Sequence, residues 1–275
     1  AVNGVTVKSI ERLLITTGAG NDRIDNTLGN GYDYIATGAG DDVINAGGGY
    51  NDIVDGGAGN DTVIINSITG GGRYVNSQWL MVDSAGVATA LNYGTSYAQI
   101  TTALASATKS YLQSAGTDTW YNQIEISNVE NWSVLAGSAY QDLLIVQGTG
   151  TTYRGGAGTD TLYANWSTAT TAISWTNALD TDQAVNGVTV KSIERLLITT
   201  GTGNDSIDNS YVGNNSNDYL ATGAGNDTLN GGAGNDTLVG GNGDDIYIVD
   251  EVGDVLTELA LEGTDLIQSS VTLTL

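Results

Sequence analysis

The chain has 275 residues and a net charge of −23, from 31 acidic residues against 8 basic ones. Nucleic acid and anionic membranes both want a basic surface, so cations are the natural partners and neither of those is. Cys and His are absent, which removes disulfides, thiolate sites, the usual zinc or copper ligand and the usual general base. A run of about eighteen apolar residues, the minimum for a membrane-spanning helix, is missing too, so no membrane insertion is expected.

Residues 1–64 join a strand segment to a first turn block. The runs Val2-Asn3-Gly4-Val5-Thr6-Val7 and Ile10-Glu11-Arg12-Leu13-Leu14-Ile15 alternate apolar and polar positions, as a strand does. From 17 to 64 a nine-residue phrase recurs: Gly-Gly-x-Gly-x-Asp-x-Leu/Ile/Val-x. Its sixth position holds Asp22, Asp33, Asp42, Asp52 and Asp61. Two residues intrude after the first repeat and one before Gly47. Tyr50 fills a glycine slot, which predicts a distorted turn beside Asp52.

Residues 65–128 form an insert of mixed character. Positions 73–82 and 120–126 alternate like strands. Between them Tyr97, Ile100, Leu104, Ala107 and Tyr111 fall at helical spacing, with Ser96 as N-cap and Gly116 as stop. Residues 129–163 hold a degenerate second block that keeps Asp142 and Asp160 but has Thr151 in the slot between. Residues 164–199 connect by strands. Within them begins a second copy of 1–26, at 184–209, which differs only at Thr202 for Ala19 and Ser206 for Arg23. A weaker copy sits at Val129-Glu130-Asn131-Trp132. The third block, 200–248, carries Asp205, Asp218, Asp227, Asp236 and Asp245 and ends in two clean repeats, 231–239 and 240–248. Residues 249–275 alternate again. No signal peptide is visible, and both ends read as cut from a longer repetitive protein.

A fixed short period predicts a solenoid in which each unit packs mainly on its neighbours. Glycine permits the positive φ angles of tight turns, and the apolar residue at position eight points inward from a short strand. Asp218 and Asp236 are eighteen apart, as are Asp227 and Asp245, and Asp142 and Asp160. One coil per eighteen residues would stack each pair roughly 5 Å apart, the strand spacing. Carboxylates so close repel, and a divalent ion between them reverses the sign. Calcium fits, because it wants about six to eight hard oxygen ligands. Binding energy then becomes folding energy.

These repeats resemble the RTX (repeats-in-toxin) proteins, calcium-binding parallel β-rolls exported by type I secretion. The resemblance covers the three blocks, about half of the chain. It implies an all-β fold, a parallel β-roll or β-helix solenoid in three modules with one small helix-bearing insert. It also implies several bound Ca2+ ions, held between stacked turns by the position-six aspartates and by turn carbonyls. On this chain those carbonyls belong to Gly38, Gly40, Gly57, Gly59, Gly156, Gly158, Gly223, Gly225, Gly232, Gly234, Gly241 and Gly243. Tyr50 beside Asp52, and the lost glycines at 214–216 before Asp218, weaken the pattern there. A plain turn former is the alternative for those aspartates.

The five tryptophans lie outside the regular turns and are read as core, in a chain without Phe. Glu11, Glu130 and Glu194 recur at one module position and are read as partners of a backbone donor or an arginine. The functional reading is a non-catalytic calcium-binding structural module of a bacterial surface layer, fibre or adhesin. Its partners would be calcium and neighbouring modules or subunits of the same protein, with surface polysaccharide a further candidate. The alternatives are a secretion and folding appendage of a type I-exported hydrolase, or a carbohydrate-binding module on 65–128.

Overall fold

The computed structural model describes residues 10–27, 31–48, 51–66, 77–115, 120–135, 137–211, 213–258 and 262–272. Residues 2–7, Tyr50, 73–76, Gly116, 273–275 and the Trp120 side chain, on which expectations above fall, lie outside them. The described residues build parallel sheets of short strands, with one helix among them. The chain divides into two compact units, 1–158 and 159–275.

In the first unit each coil is a strand, a turn, a second strand and a second turn. Strands Leu14–Thr16, Tyr34–Ala36 and Asp52–Asp55 stack in parallel in one sheet. Arg23–Asp25, Val43–Asn45 and Thr62–Ile65 stack in parallel in the other. Parallel pairing needs a crossover, and the strand of the opposite sheet supplies it. Alternation along each strand turns position eight inward: Ile35, Ile44, Val54 and Val63 are each 0% exposed. Their neighbours Tyr34 and Ile53 face outward.

After Ile65 the chain leaves the roll and returns in register. Ser77–Asp83 pairs antiparallel with Ala88–Leu91 and with Ala107–Ala115, which pairs antiparallel with Trp120–Ser127. Trp120–Ser127 then lies parallel on Asp52–Asp55, and Asn131–Val134 parallel on Thr62–Ile65. The insert therefore extends the first sheet, and its last strand opens the next coil. Trp79 stacks on Trp132 with ring centroids 4.7 Å apart. Trp79, Trp132, Trp166 and Trp175 are all buried, which bears out the core reading for these four.

The helix runs Tyr97–Ser106, shorter than expected. Its start is as read: the Gln99 amide donates to Ser96 Oγ, and the Ser96 amide donates to Gln99 Oε1, a capping box. Its end is not. Ala107 and Tyr111 belong to the strand Ala107–Ala115. That strand has ladder partners on both sides, and sheet pairing there outweighs an apolar spacing that suits a helix.

The second unit repeats the plan. Thr161–Asn165, Arg195–Thr199, Tyr219–Ala224, Thr237–Asn242 and Val255–Thr257 stack in parallel. Ser174–Thr176, Ser206–Asp208, Thr228–Asn230, Ile246–Val249 and Leu266–Ser269 form the facing sheet. Ile207, Leu220, Leu229 and Leu238 are 0% exposed between them. The two-residue turn Asn186-Gly187, with φ of 40° and 80°, closes a hairpin between Gln183–Val185 and Val188–Lys191.

The turns stack as closely as the strands. Gly243 has φ of 134°, and a Cβ built on it would lie 1.8 Å from the Gly225 carbonyl oxygen of the coil before. Gly86 has φ of 80° but open space around it. Gly86→Ala should therefore cost only the left-handed backbone penalty, about 1–2 kcal/mol. Gly243→Ala should cost clearly more, because one coil must move off the next. Urea unfolding of both variants in saturating calcium measures the difference. Equal losses would refute the close-stacking account.

Candidate metal centre

The metal site grows out of a backbone problem at the turn–strand junction. The carbonyls of most position-six aspartates accept an amide from the next coil, as Asp22 does from Val43 and Asp227 from Ile246. The aspartate's own amide has no such backbone partner. A buried amide cannot stay unpaired. The carboxylate one coil on supplies the acceptor.

In the first unit the Asp22 amide donates to Asp42 Oδ1 (2.7 Å), and Asp42 to Asp61 Oδ1 (2.8 Å). On the other side Leu13 donates to Asp33 Oδ1 (2.6 Å), and Asp33 to Asp52 Oδ1 (2.9 Å). In the second unit one ladder climbs Ile173, Asp205, Asp227, Asp245 and Asp265 at 2.7–3.0 Å per rung. The other climbs Leu196, Asp218, Asp236 and Asp254 at 2.8–3.0 Å. The stacked pairs Asp218–Asp236 and Asp227–Asp245 are thus adjacent rungs. Asp52 is a regular rung despite its irregular neighbourhood.

Glutamates complete the ladders where a module begins. Glu130 Oε2 accepts the Asp61 amide at 2.9 Å, and Glu194 Oε2 accepts the Asp160 amide at 2.7 Å. Both are partners of a backbone donor, as expected. Asp142 closes its own turn by accepting the Ser138 amide. Asp254 and Asp265 were missed because their turns keep only Gly253 and Gly263, although Asp254 keeps the eighteen-residue spacing from Asp236.

Eleven of the twelve sixth-position aspartates are buried, and Asp22 is half-buried. Their second oxygens divide them. Asp33 Oδ2 accepts from Asn26 (2.8 Å), and Asp218 Oδ2 from Asn209 (2.6 Å), so protein donors satisfy both. Asp42, Asp61, Asp205, Asp227 and Asp245 each bury an Oδ2 with no hydrogen-bond partner. A buried, charged, unpartnered oxygen is costly. It fits a hard cation, and no Lys or Arg follows Arg195 to serve instead.

The twelve glycines expected as carbonyl donors all have positive φ, between 79° and 148°. Their turns sit on the next coil's turn, as where the Ala58 amide donates to the Gly38 carbonyl at 2.8 Å. A second, exposed ladder runs through position five. The backbone amide of Asp41 donates to Asn21 Oδ1, that of Asn60 to Asp41 Oδ1, that of Asn226 to Asn204 Oδ1 and that of Asp244 to Asn226 Oδ1.

Together these features define a parallel β-roll whose turns carry ladders of buried carboxylates. The model of the RTX calcium-binding nonapeptide repeat family matches the chain in four copies, at 14–32, 29–63, 148–167 and 212–247. Those four segments are RTX calcium-binding nonapeptide repeats, which bind Ca2+, and the sheets that carry them form a parallel β-roll. Glu130, Asp142, Glu194, Asp205, Asp254 and Asp265 lie outside the matched residues, so the ladders run further than the repeats. No curated protein matches the chain. RTX repeats typically stand in secreted proteins. Among the described residues no helix is long and apolar enough to cross a membrane.

Burial pushes the carboxyls of Asp52 and Asp236 up to about 7, and those of Asp61 and Asp227 up to about 6, from an ordinary 3.8. Without metal, the folded state thus holds protons that the unfolded chain releases above about pH 4. That stabilisation is full below about pH 4 and is lost as pH rises to about 7. Calcium-stripped protein should therefore melt at a higher temperature at pH 5 than at pH 7.5, while calcium affinity moves the opposite way. Thermal unfolding of the stripped chain at both pH values checks this, and a higher Tm at pH 7.5 would contradict it.

Proposed function

We propose that this chain is an extracellular, calcium-dependent structural module of a repetitive bacterial surface layer, fibre or adhesin. The carrying observation is the row of buried Oδ2 atoms without partners, on Asp42, Asp61, Asp205, Asp227 and Asp245. These five are the first ligands in the proposal, with Asp22, Asp52, Asp142, Asp160 and Asp236 alongside. The glycine-turn carbonyls complete the shell. Asp33 and Asp218, already satisfied by asparagines, contribute least. Calcium supplies two positive charges and accepts about six to eight oxygens. The chain's own part is to fix carboxylates and carbonyls on opposing turns, hold Oδ1 on the amide above, and leave Oδ2 for the ion.

Folding then depends on where calcium is. A chain of flexible glycines with stacked negative charges resists ordering in a low-calcium cytosol and orders in a high-calcium exterior. Circular dichroism of the whole chain should show the full cooperative β signal with calcium and a weaker, less stable one with chelator. A full β signal in excess chelator would sink the proposal. Asp42→Asn sharpens the test, because it keeps the acceptor for the Asp22 amide and removes the charge. Its calcium dependence should weaken about tenfold or more, with little loss of stability in the stripped state.

The surface role rests on different observations. Two near-identical 26-residue copies, 1–26 and 184–209, suit a protein built by repetition. Among the described residues, strands Leu14–Thr16 and Val255–Thr257 each have an open side, and Leu14 and Val255 are 62% and 54% exposed. Open edges of this kind recruit further strands. Light scattering in millimolar calcium should show association that falls on chelation. A monomer at every calcium concentration would argue against this role while leaving calcium-driven folding intact.

A further inference from the structure

Where the two clean repeats place a glycine, the last coil places a glutamate. Gly231 stands four residues after Asp227, and Gly240 four after Asp236. Glu258 stands four after Asp254. The glycine is there to make room. A Cβ on Gly231 would lie 2.0 Å from Asp236 Oδ2, and one on Gly240 would lie 2.2 Å from Asp245 Oδ2. A side chain in this slot one coil on is thus aimed at the second carboxylate oxygens of the ladder.

The surroundings meet that expectation. Carboxylate oxygens of Asp245, Glu258 and Asp265 all lie within 4.8 Å of one another. Asp245 is 1% exposed, and its Oδ2 has no hydrogen-bond partner. Asp265 Oδ1 is already held by the Asp245 amide at 3.0 Å. Glu258 Oε1 accepts the Tyr247 hydroxyl, which itself accepts the Gly240 amide at 2.6 Å. Tyr247 is 1% exposed, so one oxygen of Glu258 is tied to a rigid, buried hydroxyl. Three carboxylates therefore converge in a stretch without a single basic residue.

We propose that Asp245, Glu258 and Asp265 hold a divalent cation through a side-chain ligand from outside the nonapeptide. The inference rests on the calcium reading of the repeats. It adds Glu258 as a ligand and Tyr247 as the residue that positions it. This site ties Val255–Thr257 and Leu266–Ser269 to the coil beneath. Elsewhere a glycine slot needs turn carbonyls to finish an ion's shell. Here a carboxylate does so, in a coil whose turns have lost most of their glycines.

The test uses the full chain with calcium as the probe. Glu258→Gln keeps an oxygen for the Tyr247 hydroxyl and removes only the charge. By calorimetric titration it should bind one ion fewer than the parent, or bind that ion at least tenfold more weakly. Hydrogen exchange at Val255–Thr257 and Leu266–Ser269 should speed up at least tenfold in subsaturating calcium, while Tyr219–Ala224 stays protected. Tyr247→Phe should keep the ion count and lower only the affinity. Unchanged stoichiometry, affinity and exchange in Glu258→Gln would overturn the inference, leaving Glu258 as a hydrogen-bond acceptor for Tyr247. A parent chain that takes up no calcium at all would overturn the repeat reading as well, so the two failures are distinct.

Discussion

The bond from a position-six amide to the carboxylate one coil on is the constraint from which the rest follows. It is charge-assisted, and so stronger than an ordinary backbone bond. It fixes register, because an aspartate one residue out of step would miss the amide. It also carries a burden, since every rung draws a negative charge out of water beside the next one. Hydrogen bonding therefore sets the geometry of the roll, while neutralising the rungs is left to ions. A neutral acceptor such as asparagine could keep the geometry without needing the metal.

The asparagines at 26 and 209 show the chain using that contrast. Each donates to a carboxylate early in its module, Asp33 or Asp218. Protein donors serve these two, while unpartnered oxygens remain on Asp42, Asp61, Asp205, Asp227 and Asp245. The apolar core is thin, about one inward residue per half coil. Against it stands the ordering of the stacked turn glycines, the residues that lose most freedom on folding. A thin core with costly turns suits conditional folding better than permanent stability.

The roll was legible because it is periodic. Eighteen-residue spacing placed Asp218 above Asp236 and Asp227 above Asp245 before any geometry was known. What escaped was whatever the period does not encode. Asp254 and Asp265 extend the ladders from turns without the glycine signature, and only the unbroken spacing to Asp236 could have flagged the first. The spacing between adjacent rungs drifts to nineteen, twenty and twenty-two residues elsewhere, because extra residues bulge at turns without moving a strand. The end of the helix was invisible for another reason. Ala107 and Tyr111 suit a helix locally, but Ala107 pairs with Asp83, and Tyr111 with both Leu80 and Glu125, across distant strands.

One rung joins residues that are far apart in sequence. Asp61 and Glu130 are 69 positions apart, yet they meet as neighbouring coils do. The cost of closing a loop grows only with the logarithm of its length, about 0.6 kcal/mol per doubling. Once both flanks are in register, a long excursion between them costs little chain entropy, although its strand Trp120–Ser127 and the Trp79 ring are built into the roll. The gap after Ile65 is therefore a docking bay in the evolutionary sense. The insert's length can change there so long as Trp120–Ser127 keeps its place on Asp52–Asp55, and the turns at the insert's tip would suit a grafted epitope displayed on the roll.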